Sequence, residues 1–86
     1  MNYSFIQMLG FISGILTTIA FIPQVLKVWV TRKTEDISLL MFIIFITGII
    51  GWLIYGILIV NYPLILANSI TLVLAVLIII GKIRFG

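Results

Sequence analysis

Three long apolar runs, separated by two short polar breaks, set the pattern of this chain. The runs extend from about Ser4 to Val30, from about Ser38 to Val60, and from about Leu64 to Gly81. At 1.5 Å per residue, each is long enough to cross about 30 Å of hydrocarbon as a helix. Within the runs, small and polar residues recur at helical spacing. Gly10 and Gly14 continue into Thr17, Phe21 and Gln24 as one stripe of the first helix. That small-x-x-x-small start lets helices approach closely, and helix packing is its simplest use. Met41, Phe45, Gly48, Trp52 and Tyr55 share a face of the second helix, flanked by Gly51 and Gly56. Large rings beside glycines imply a surface with hollows. Ala67, Asn68, Thr71 and Ala75 form a narrow stripe on the third helix. The pattern predicts an all-α fold: one domain over residues 1–86, a three-helix transmembrane bundle integral to the membrane.

The breaks define the connections. Thr31 to Asp36 is the charged loop, after which Ser38 or Asp36 can cap the second helix. Asn61-Tyr62-Pro63 is very short and uncharged, which makes the second and third helices antiparallel neighbours. Pro23 interrupts the first helix. Its ring meets the carbonyl of Ile19, and a kink is expected there. In lipid the freed carbonyl needs another partner, and Gln24, Thr17 and Thr18 are the nearby candidates. Such a bend is either a packing kink or a hinge.

Composition strengthens the membrane reading. The chain is 64% hydrophobic and 8% charged, against about 25% charged for soluble domains. There is no cysteine and no histidine, which excludes disulfides, thiolate chemistry and a histidine-built metal site. The N-terminal run lacks a basic n-region and a small-residue cleavage site, so it is expected to be a retained helix. The five basic residues, Lys27, Arg32, Lys33, Lys82 and Arg84, gather around the first loop and in the C-terminal tail. With three spans these regions share one side, which the positive-inside rule makes cytoplasmic, with the N-terminus outside. Split this way, the charges do not point to nucleic acid.

No acid lies within a span, which argues against a proton-coupled pump. No nucleophile with its base and no nucleotide-binding loop is present, so no enzyme is expected, and no cofactor. Gln24, Trp52 and Asn68 remain at membrane depth. Trp52 lies about eight residues, or about 12 Å, from the outer end of its helix, deeper than an aromatic belt. Asn68, one turn into the antiparallel third helix, matches it in depth. An indole face can stack on a pyranose while its N–H donates, and an amide serves vicinal hydroxyls as donor and acceptor. Alternatively, Asn68 only hydrogen-bonds a neighbouring helix, worth about 0.6 kcal/mol. An anionic solute would need a positive group at that depth, and none is present. Three helices cannot enclose a hydrophilic path, so transport requires at least two copies.

Pro23-Gln24 at the cytoplasmic end of the first helix, three spans, a basic inner loop and the Trp52/Asn68 pair resemble the PQ-loop superfamily, and more closely the bacterial SemiSWEET sugar transporters. The resemblance covers essentially the whole chain. It implies a bundle whose third helix packs between the first two, and a parallel 3+3 homodimer with the transport route at its interface. SWEET-type proteins are themselves a known case of repeats about an axis along the membrane normal. Carried over by position, Trp52 and Asn68 match the sugar-binding pair, Pro23 and Gln24 the hinge motif, and Met41 and Phe45 the cytoplasmic narrowing. The outer gate departs from the family: Ile57 to Pro63 carries no charge, leaving Tyr55, Asn61 and Tyr62 as its polar groups. The expected function is facilitative movement of a mono- or disaccharide of the glucose or sucrose class, by alternating access, in a bacterial inner (plasma) membrane. The alternatives are a carrier of another small neutral solute, and a pore-forming or structural membrane peptide.

Overall fold

The computed structural model describes residues 3–86; Met1 and Asn2 of the expected domain lie outside it. Four helices follow in order: α1 (Tyr3–Ile19), α2 (Ile22–Thr31), α3 (Leu39–Leu58) and α4 (Tyr62–Phe85). α1 and α2 form one broken apolar span, so three segments, Ser4–Thr31, Leu39–Leu58 and Tyr62–Phe85, are long and apolar enough to cross a membrane. The outward surface agrees with that. Val30 and Leu58 are each 76% exposed, tolerable against lipid tails and costly in water.

The break differs in detail from the kink expected at Pro23. Ala20 and Phe21 leave the helix, and the Phe21 N–H reaches the Thr18 carbonyl at 3.0 Å, three residues back instead of four. α2 then restarts with Pro23 in its first turn, where a missing N–H is no loss. The ring ends one helix and begins another. Nor do the nearby polar groups repair the freed backbone. Thr17 Oγ1 donates to Gly14 O at 3.1 Å. Thr18 is buried and turned towards α4, where it meets Thr71 Oγ1 at 3.1 Å and Ala67 O at 3.4 Å. Gln24 makes no side-chain hydrogen bond among the described residues.

α4 is the central element. It packs against α1, α2 and α3, which sandwich it between them. The close approach is built from small residues. A Cβ at Gly14 would sit 2.7 Å from Ala67 Cβ, and one at Gly10 would sit 3.0 Å from Pro63 Cβ. Gly81 plays the same part against Val28. Read in sequence as the end of the third helix, Gly81 lies inside α4, and the helix runs on to Phe85. Lys82 and Arg84 occupy its last turn, where cations offset the partial negative charge of the free carbonyls. Val28, Ile37, Phe42, Ile49, Ala75 and Ile78 form the buried core, concentrated towards the end that carries the basic residues. There Trp29 Nε1 donates to Leu77 O at 3.0 Å and Lys82 Nζ to Thr34 O at 2.8 Å, tying α2 and the loop to α4.

The caps follow the local sequence. Ser38, not Asp36, caps α3 by accepting the Met41 N–H at 3.2 Å. Asp36 instead pairs with Lys27. The hydrogen bond from Lys27 holds the Asp36 carboxyl below the usual carboxylate range. Asn61 Oδ1 caps α4 through the Leu64 N–H at 3.2 Å. α3 closes in a six-residue wrap, with Asn61 N–H on Gly56 O at 2.8 Å and Val60 N–H on Ile57 O at 3.2 Å. This places Val60 in the left-handed region, φ 55°, a conformation normally left to glycine.

Candidate transport site

A pocket of about 310 Å³ opens on the face where α3, α4 and the broken first span converge. α3 contributes Phe45, Gly48 and Trp52, one helical face at spacings of three and four. α4 contributes Asn68 and Thr71, and the end of α1 contributes Thr17, with Phe21 from the break below it. Trp52 and Asn68, matched in depth by sequence, therefore border the same hollow. Among the described residues, no charged side chain lines it. Its chemistry is one indole, one amide and two hydroxyls, suited to a neutral solute with hydroxyl groups.

The polar groups divide between structure and pocket. Asn68 Nδ2 donates to Leu64 O at 2.9 Å within its own helix. This occupies one amide proton and leaves the second proton and the carbonyl oxygen for a ligand. Among the described residues, Asn68 does not bond a neighbouring helix. Trp52 stands edge-on to Tyr55, ring centroids 5.6 Å apart, and remains 57% exposed. An indole so uncovered at mid-helix leaves the site half built in a single chain. Gly48 and Gly51 agree, because a Cβ at either would meet no atom within 4 Å.

Towards the basic end, the pocket stops at an aromatic stack. Phe45 lies parallel to Phe21 with centroids 5.4 Å apart, and Phe42 meets Phe45 edge-on at 6.2 Å. Phe21 is a residue of the helix break itself. Met41 does not reach the pocket; it is exposed on α3, one turn below Phe45. Pro23 and Gln24 do not line the pocket either; they lie beyond the stack. At the opposite end, Tyr55 touches Trp52, Asn61 serves as a helix cap, and Tyr62 is exposed at the start of α4. Sequence reasoning places Thr17, Phe21 and Thr71 on polar or small stripes without assigning them to a site. The signal is present, since Phe21 lies one turn from Gln24, Thr71 one turn from Asn68, and Thr17 one turn from Phe21 on the same stripe, but only the packing brings the three stripes together.

The PQ loop repeat family matches this chain over residues 5–65. The "Sugar transporter SemiSWEET" of Leptospira biflexa is 43% identical over 80 residues, covering 93% of this chain and 94% of that one. Among solved structures, a bacterial homologue of SWEET transporters superposes with a TM-score of 0.89 at 50% identity, covering 93% of this chain and 96% of the other. A SemiSWEET in the inward-open conformation superposes at 0.86 with 38% identity, covering 94% and 87%. Matched over nearly its whole length in sequence and in backbone, the chain belongs to the PQ-loop repeat family and, within it, to the SemiSWEET group.

Proposed function

We propose that two copies of this chain assemble in parallel as a 3+3 homodimer and carry a sugar across the membrane by alternating access, without coupling to an ion gradient. The observation that carries this reading is the half-built pocket: Trp52 and Asn68 on one uncharged hollow, with Trp52 more than half uncovered. One chain supplies about 310 Å³, the lower end of the roughly 300–1,000 Å³ typical of small-molecule sites. Two copies facing each other would offer room for a mono- or disaccharide between two indoles and two amides. The absence of acids from the lining supports a facilitator over a proton-coupled carrier. The names of the relatives support sugar as the substrate class.

In this mechanism α2 is the moving part. The break at Ala20–Phe21, followed by Pro23, lets the start of α2 tilt relative to α1, pivoting about its attachment to α4 at Val28 and Trp29. Phe21 travels with the break, so the swing separates it from Phe45 and opens the pocket towards the basic end. Met41, one turn further, borders the widened passage. By the positive-inside rule that end is cytoplasmic and the start of α1 is external, in the inner (plasma) membrane of a bacterium. At the external end, Tyr55, Asn61 and Tyr62 close the route by aromatic packing and neutral hydrogen bonds.

Uptake of labelled glucose and labelled sucrose into proteoliposomes tests the reading. Wild type should take up one or both with saturation, and Trp52→Ala and Asn68→Ala should each abolish it. Asn68→Ala removes only a bond within α4, so the fold should survive. If neither sugar enters above empty liposomes, the substrate is another neutral solute and the sugar reading fails.

A further inference from the structure

The pocket is not the end of the hollow surface. A second hollow, of about 290 Å³, shares Thr17, Ala67 and Asn68 with it and continues along α1 past Gly14 and Ser13. A third, of about 370 Å³, shares Gly10, Ser13 and Asn61 with the second and reaches Gln7, Ile6 and Val60. Together they form one groove between α1 and the start of α4. It runs from Trp52 and Asn68 to the end of the bundle opposite the basic residues. From Thr17 to Gln7 it spans ten residues of α1, about 15 Å.

The side chains along this groove have unspent hydrogen-bonding capacity. Every threonine of the helices has its hydroxyl engaged: Thr17, Thr18, Thr31 and Thr47 with backbone carbonyls, and Thr71 with Thr18. Ser13 is different. Its hydroxyl makes no hydrogen bond among the described residues, and neither does the Gln7 amide. Asn61 spends its oxygen on the α4 cap and leaves its NH₂ group free. Ser69 also leaves its hydroxyl unpaired, but it is not among the groove's lining residues. Polar groups left unpaired against hydrocarbon cost free energy. The groove is therefore built for water or for a ligand that supplies both donors and acceptors.

We infer that Gln7, Ser13 and Asn61 form a second, external site for a polyhydroxy solute, where it docks before moving along the groove to Trp52 and Asn68. This rests on the sugar-carrier reading. The chemistry is two amides and one hydroxyl, with no aromatic face. Such a site holds hydroxyls without a stacking platform. It should therefore be weaker than the central site and should survive loss of Trp52.

The chain has no cysteine, so one introduced thiol is a clean reporter. Ile6→Cys lies on the wall of the third hollow and leaves the three polar groups intact. In proteoliposomes the reporter should react with a membrane-impermeant maleimide added from the α1 end. Glucose at about ten times the concentration that gives half-maximal protection should slow that reaction about tenfold, as simple occupancy of the external site requires. The same protection should appear in the Trp52→Ala background, and should vanish when Gln7→Leu and Ser13→Ala are added. Protection that needs Trp52 would come from the central site alone and would overturn the inference. A reporter that never reacts would mean a dry groove, and the external site would fall with it. If wild type transports sugar with saturation but sugar protects nothing, the external site fails while the carrier reading stands. If wild type neither transports nor binds sugar, both fall.

Discussion

At the scale of single residues, the clearest strain lies at Val60. A β-branched side chain at φ 55° sits where an L-residue costs roughly 1–2 kcal/mol. The wrap that ends α3 requires that geometry, because two backbone hydrogen bonds close around it. Val60→Gly should therefore stabilise the folded protein by about 1 kcal/mol, the relief being partly offset by the freer unfolded chain. Thermal unfolding in detergent checks this, with Val60→Thr as the control expected to leave the midpoint unchanged. A Val60→Gly midpoint no higher than wild type would show that the strain is relieved some other way. The same scale shows what residue identity alone conveys. Trp52 and Asn68 stand out because an indole and an amide are costly in lipid. Thr17 and Thr71 do not, because a threonine hydroxyl bonds its own helix readily, as Thr17 does to Gly14.

At the scale of elements, the first span matters most. The proline is legible as an interruption, yet the break falls a few residues before it. A ring that blocks the Ile19 carbonyl can kink one helix or divide two. Here the chain divides at Ala20–Phe21 and restarts with Pro23 in the first turn of α2. Division frees α2 from α1 while Trp29 and Val28 hold it on α4. Pro23→Ala restores a donor for Ile19 and favours one continuous helix. It should leave sugar affinity within about twofold. Flux should fall about tenfold, the equivalent of a barrier raised by about 1.4 kcal/mol. Equilibrium binding beside counterflow in proteoliposomes separates the two quantities. Equal losses in both would remove the support for a hinge. Gly81 teaches the complementary lesson. A glycine near a chain end reads as a stop, but here it is an interior contact against Val28, and a close contact leaves no mark in local sequence.

At the scale of the whole molecule, one chain leaves a face unfinished. Trp52 is more than half exposed, and Gly48 and Gly51 look onto open space. In the proposed dimer a second copy would complete both pockets at once. The purified protein in mild detergent should accordingly have the mass of two chains by light scattering, detergent subtracted. A monomer that still transported would refute the dimeric route. The order of residues is enough to set the class of the protein, because hydrocarbon solvent imposes one requirement everywhere: apolar runs about 20 residues long. It also marks an interruption of the first span near Pro23, though as a kink and not a division, and a polar pair at matching depth, since proline chemistry and helical rise are local properties. Convergence, by contrast, came from the packing of the helices. α4 lies between the other helices because Gly10, Gly14, Gly56 and Gly81 permit close approach to its sides, and that choice of partners depends on shape across helices. The same packing turned Phe21 onto Phe45, spent the Thr18 hydroxyl on α4, and joined three hollows into one groove. Distances between side chains on different helices depend on crossing geometry, which no periodicity along a single helix encodes.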